Sequence, residues 1–135
     1  MTRADELRQR YLSEAVQTST PAGRLTMLFD ALELDLLKAD RAFDSADMKM
    51  ISDCLIHAQD ILQLLRSTID TTSWAPAARI QALYDYLYTE LVKANLEKDR
   101  SRVAAAAPHI SQLAAAWRQA AQQVDAPAGQ PATVG

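Results

Sequence analysis

Two histidines, His57 and His109, and one cysteine, Cys54, are the side chains of this 135-residue chain that most readily carry chemistry. A di-iron helical bundle needs Glu-x-x-His pairs. Cys54 stands three residues before His57 and Ala106 three before His109, which excludes that class. There is no Gly-rich phosphate loop, no Cys-x-x-Cys and no His-Glu-x-x-His pattern. No Ser, His and Asp fall into a supporting motif for nucleophilic catalysis. A phosphotransfer bundle would carry one exposed histidine, and His57 is the candidate; it is followed by Ala58-Gln59-Asp60, without the basic residue and glycine such a helix usually carries. His57 therefore reads as a partly buried packing residue, with histidine phosphotransfer kept as an alternative. Cys54 falls on the predicted buried face of its helix, where a lone cysteine behaves as a small hydrophobe. No catalytic set, metal or cofactor is expected, and the chain reads as a non-enzyme.

These residues need elements to hold them, and the composition says which. Hydrophobic residues make up 49 % and charged residues 23 %, with only 3 Gly and 5 Pro. That is the make-up of one helical, soluble domain. The net charge of -3 and a pI near 5.3 give no clustered basic face of the kind nucleic acid requires. Acidic residues concentrate between Asp30 and Asp70, which reads as a solvated helix face. A single cysteine allows no intrachain disulfide and fits a reducing compartment. No apolar run is long enough to span a membrane, and the N-terminus lacks a signal-peptide core, so the expected location is cytoplasmic.

Along the chain, residues 1–20 form an amphipathic arm in which Leu7, Tyr11 and Ala15 share one side, with Leu12 and Val16 beside them. A segment so short must dock to persist as a helix. Thr18-Ser19-Thr20 before Pro21 predicts a hydroxyl cap and a helix start, because proline is favoured in the first turn. Helix one is expected from about Pro21 to Asp44, with Leu25, Leu28, Phe29, Leu32, Leu36, Ala39 and Phe43 inward. Helix two should run from Asp47, an N-cap, to Thr71, with Met48, Ile51, Cys54, Leu55, Ala58, Ile61, Leu62, Leu65 and Ile69 inward. A connector bearing Trp74, expected to fold over the bundle's end, leads to Pro76 and helix three, which ends near Lys98. Helix four spans Ser101 to Val124; Pro108 should kink it, while its Ala-rich flanks favour its continuing. Residues 126–135 read as a disordered tail. The expected architecture is all-α: an antiparallel four-helix bundle over 21–125, preceded by the arm.

The pattern holds more apolar surface than one core demands. On helix three, Ile80, Leu83, Tyr84, Leu87, Leu91 and Ala94 make the inner face, and Tyr88, Val92 and Leu96 widen the apolar arc to roughly 220°, about twice what docking on one core needs. Met27, Ala31 and Leu34 form a second stripe on helix one, with Leu37 nearby, and Ile56 and Leu64 lie off the inner face of helix two. Such surplus marks a protein-binding surface, or a bundle that buries it irregularly or dimerises through it.

Taken in order and spacing, several pieces resemble the flagellar export chaperone family FliS. They are Tyr11 with Val16-Gln17-Thr18-Ser19-Thr20-Pro21, then Leu25-Thr26-Met27-Leu28-Phe29-Asp30, Ala58-Gln59-Asp60-Ile61-Leu62, Leu83-Tyr84-Asp85-Tyr86-Leu87, Leu91-Val92-Lys93-Ala94-Asn95 and Ala116-Trp117. Departures are Ser19-Thr20 where the family favours Ala-Ser, Phe29 where Tyr is common, and Pro108 within helix four. The resemblance implies a helical-bundle chaperone in the cytoplasm. Its client would be the disordered C-terminal segment of flagellin, covered against premature polymerisation and delivered to the type III export gate. On that reading Met27, Ala31, Leu34, Ile56, Leu64, Tyr88, Val92 and Leu96 are the expected client-binding residues. Leu7, Tyr11 and Val16 would be an arm able to occupy the client groove, and Pro21, Leu25, Leu28, Gln59, Leu83, Tyr84, Tyr86 and Asn95 carry the family pattern. A monomer or weak dimer is expected, without nucleic acid or membrane insertion; a structural homodimer is the remaining alternative.

Overall fold

A computed structural model describes residues 2–7, 20–70, 72 and 75–124. Residues 3–7 are helical. Four longer helices follow: α1 (Pro21–Asp44), α2 (Met48–Ser67), α3 (Ala77–Glu97) and α4 (Arg100–Val124). There is no strand among the described residues. Tyr11, Val16, Trp74 and the tail from 126 lie outside them.

Each start and stop has a local cause. Thr20 caps α1, its Oγ1 accepting from Gly23 N at 3.0 Å, and Pro21 opens the helix. Asp47 caps α2 by accepting from Met50 N at 3.0 Å. That helix stops at Ser67, short of the expected Thr71. Ser67 Oγ donates to Leu64 O at 2.6 Å and Thr68 Oγ1 to Leu65 O at 2.7 Å, so side chains take the carbonyls that further turns would have used. The short links after α1 and α3 are both Schellman closures. Asp47 N donates back to Ala42 O at 3.0 Å, and Asp99 N to Ala94 O at 2.9 Å. The left-handed positions are Ala46 (φ 51°) and Lys98 (φ 50°).

The four helices form a ring in which α1 touches α2 and α4, and α3 touches the same two. Cross-helix pairs show that neighbours run antiparallel. Arg118 near the end of α4 meets Asp30 and Glu33 early in α1, while Arg100 at the start of α4 holds Asp40 and Asp44 late in α1. Arg66 late in α2 grips Asp85 early in α3, and Ser52 early in α2 donates to Asn95 late in α3 at 2.9 Å. Exposed pairs of this kind contribute little to stability; what they report is register.

The core is close to the predicted stripes. Leu32, Ile51, Leu55, Leu62, Leu65, Leu87, Leu91 and Ile110 are almost wholly buried, each contributing about 1.5–3 kcal/mol. Leu25, Leu28, Phe43, Ile69, Ile80 and Leu83 pack against them while half-buried. Two placements differ from the pattern. Met48 is 50 % exposed, because it opens α2 at the end of the bundle beside the turn from α1. Asp35 is buried within α1, on a face where only apolar residues were expected. Helix α4 runs without a break through Pro108. Ala104, whose carbonyl the proline leaves without its helical donor, is exposed, so water can serve it. Trp117 ties α4 to α1 by donating Nε1–H to Thr26 Oγ1 at 3.1 Å.

Candidate functional site

The residues with chemical potential are spent on structure. Cys54 is buried, and desolvation followed by the Asp35 charge pushes its thiol up, away from the reactive thiolate. His57 is not the partly buried packing residue the pattern suggested. Its side chain is 62 % exposed, and its Nδ1 is hydrogen-bonded to the Asp35 carboxylate across the α1/α2 seam. His109 meets Tyr86 edge-to-face, ring centroids 6.4 Å apart. No three metal-ligating side chains cluster among the described residues.

The Asp35–His57 contact sets the register of α1 against α2. About two turns along α2 from His57 stands Leu64; about two turns back along α1 from Asp35 stands Leu28. Leu64 therefore lies level with the first half of α1, beside the stripe of Met27, Ala31 and Leu34. Met27, Leu34 and Leu64 are each about half exposed, while Ala31 is half-buried against the core and makes the floor. Further along the same groove the lining turns charged: a space of about 700 Å³ is bounded by Asp35, Lys38, Arg41, Asp47, Asp53 and His57 among others.

On the other flank of α2, Ser52–Asn95 and Arg66–Asp85 set the register against α3. Ile56 then stands level with Val92 and Leu96, and Gln59 and Gln63 with Tyr88. Ile56 is 48 % exposed and Leu96 79 %. Val92 is half-buried, and Tyr88 lies half-buried against the core. Next to them is a depression of about 380 Å³ lined by Leu62, Gln63, Arg66, Tyr84, Asp85 and Tyr88. The eight residues expected to bind a client thus separate into two grooves that share α2 as their common wall.

The pattern residues mostly hold this frame. Tyr84 is buried, and desolvation pushes its phenol up to about 12; it borders both the α2/α3 depression and a more apolar cavity of about 520 Å³ at the bundle end, which Phe29, Leu65 and Trp117 also line. Pro21 opens α1, and Leu25, Leu28, Gln59 and Leu83 are half-buried. Asn95 Oδ1 accepts from Ser52 and, at 2.7 Å, from Lys98 Nζ, which joins α2 to the end of α3. Tyr86 stands out from the surface, 52 % exposed. Leu7 of the arm is exposed; Tyr11 and Val16 are outside the described residues. The pattern missed Asp35, Lys38 and Arg41. Their signal was faint, since a charged residue beside an apolar stripe reads as solvated until a partner helix is placed against it.

A family model described as "Flagellar protein FliS" matches residues 3–124. The chain is similar to the flagellar secretion chaperone FliS of Bacillus subtilis (strain 168), 32 % identical over 112 residues that span 83 % of this chain and 84 % of that protein. It is also similar to the flagellar secretion chaperone FliS of Salmonella typhimurium (strain LT2), 27 % identical over 110 residues, 80 % of this chain and 82 % of that protein.

Proposed function

The chain belongs to the FliS family of flagellar proteins, and we propose that it is a flagellar export chaperone that acts by holding the C-terminal segment of flagellin in the two grooves flanking α2. The observation that carries this reading is the exposed apolar lining of those grooves: Met27, Leu34 and Leu64 on one side, Ile56 and Leu96 on the other. A disordered segment that folds on binding loses chain entropy and must be offset by a large apolar footprint. Two long grooves on opposite flanks of one helix offer that footprint to amphipathic helices anchored at i, i+3 or i+4, and i+7. Covering the segment keeps it from packing into filament, and the loaded complex is presented to the type III export gate. The work is binding in the cytoplasm, without a chemical step.

The test is co-purification. Intact flagellin is expected to be retained, and flagellin lacking its C-terminal segment lost. Equal retention of both forms would sink the proposal. Leu64→Ser should weaken retention without unfolding the bundle, since the side chain is about half exposed.

A further inference from the structure

The charged half of the α1/α2 groove has a polarity that its composition hides. Its carboxylates are all engaged inside the protein. Asp35 accepts from His57, Asp47 caps α2 on Met50 N at 3.0 Å, and Asp53 accepts from Lys49 Nζ at 2.6 Å. Asp40 and Asp44, next to Arg41 in sequence, are held by Arg100 on the far flank of α1. Lys38 and Arg41 line the same space, are exposed, and make no hydrogen bond or ion pair with any described residue. The groove's carboxylates thus already accept hydrogen bonds within the protein, and the cationic donors of Lys38 and Arg41 are what is left to meet an incoming molecule.

We propose that Lys38 and Arg41 form a charge-selective end of the α1/α2 groove, taking acidic side chains of a client helix whose apolar anchors fill the Met27–Leu34–Leu64 half. This rests on the groove reading above and adds which helices the groove selects. Lys38 and Arg41 stand about one and two turns beyond Leu34 along α1, so the client's acids fall roughly 5–11 Å past its last anchor. The Arg41 guanidinium suits a carboxylate in a two-point contact, and Lys38 acts as a mobile point charge. Both sit at the rim, so they contribute selectivity and encounter rate more than raw affinity.

Three synthetic helical peptides test this on the full chain. They share leucines at i, i+4 and i+7 and carry Glu, Gln or Lys one and two turns beyond. By fluorescence anisotropy at low salt, the Glu peptide should bind about three- to tenfold more tightly than the Gln peptide, the gap closing as salt rises. Lys38→Gln/Arg41→Gln should make the two equal, and Lys38→Glu/Arg41→Glu should turn the preference to the Lys peptide. If the unmodified protein binds Glu and Gln peptides equally while Leu34→Ser/Leu64→Ser abolishes both, the groove stands and charge selection falls. If the Glu preference survives in Leu34→Ser/Leu64→Ser at undiminished affinity, the groove reading itself falls. Binding of none of the three overturns the proposal.

Discussion

At the scale of single residues, the Asp35–His57 pair is where a chemical reading and a structural one part. Asp35 holds its carboxylate on a buried face of α1, where it meets the ring of an exposed histidine. A buried carboxylate stripped of its donor retains its desolvation cost, about 1–3 kcal/mol. His57→Ala should therefore destabilise the bundle by about that amount in urea unfolding. Replacing both partners, Asp35→Leu/His57→Leu, should lose less than His57→Ala, because no buried charge is left behind. A His57→Ala protein as stable as its parent would show that Asp35 does not need the contact. Were His57 instead a phosphotransfer residue, acetyl phosphate would label the protein in a manner lost in His57→Ala. The pair also shows why the sequence pattern could not see it. Asp35 lies on the same side as Leu28, Leu32 and Ala39, but its charge removed it from the stripe, and its partner sits on another helix.

The elements were legible to the degree that their signals are local. Pro21 behind Thr20, Asp47 ahead of Met48, and the stripes from Leu32 to Leu91 all mark themselves within a turn or two, and they appear as read. Errors fall where a helix end is decided by competition, as at Ser67 and Thr68, or where a stripe runs past the core, as at Met48. The two Schellman closures were not anticipated, because neither has the usual glycine. Ala46 holds φ 51° with a methyl side chain that can make no hydrogen bond in return, which costs roughly 1–2 kcal/mol against a residue free of Cβ. Ala46→Gly should raise stability by about 1 kcal/mol, somewhat offset by the extra entropy of the unfolded glycine. Lys98 carries the same strain at φ 50°, yet its Nζ donates to Ser52 Oγ at 2.7 Å and to Asn95 O at 2.8 Å. Lys98→Gly relieves the backbone and removes that network together, so it should gain less than Ala46→Gly. Thermal melts of the two variants side by side decide the matter; a larger gain at Lys98 would mean the network adds nothing.

At the scale of the whole molecule, the excess apolar width of single helices becomes an arrangement. Helical wheels could show that Met27, Ile56, Leu64, Tyr88 and Leu96 exceed one core's needs, but only the register between helices divides them between two flanks of α2. Ala31 and Tyr88 also change standing, from free surface to groove floor, because the neighbouring helix covers their inner sides. The arrangement makes a prediction that neither groove makes alone. Ile56 and Leu64 are on one helix, about 12 Å apart along its axis, and open to different grooves. Changes that far apart add when both sites are engaged at once. With a full flagellin C-terminal segment, Ile56→Ser and Leu64→Ser should each weaken binding, and the double variant should lose the sum of the two losses in free energy. A segment cut to one helix should respond to only one of them. Titration calorimetry with both segments reads this directly, and the unfolding midpoints should stay close to the parent's, since both side chains are about half exposed. If one substitution is silent toward the full segment, the client lies in a single groove and α2 is not a shared wall. If instead the two grooves close on a second copy of the chain, sedimentation of the free protein should show a dimer that both substitutions dissociate.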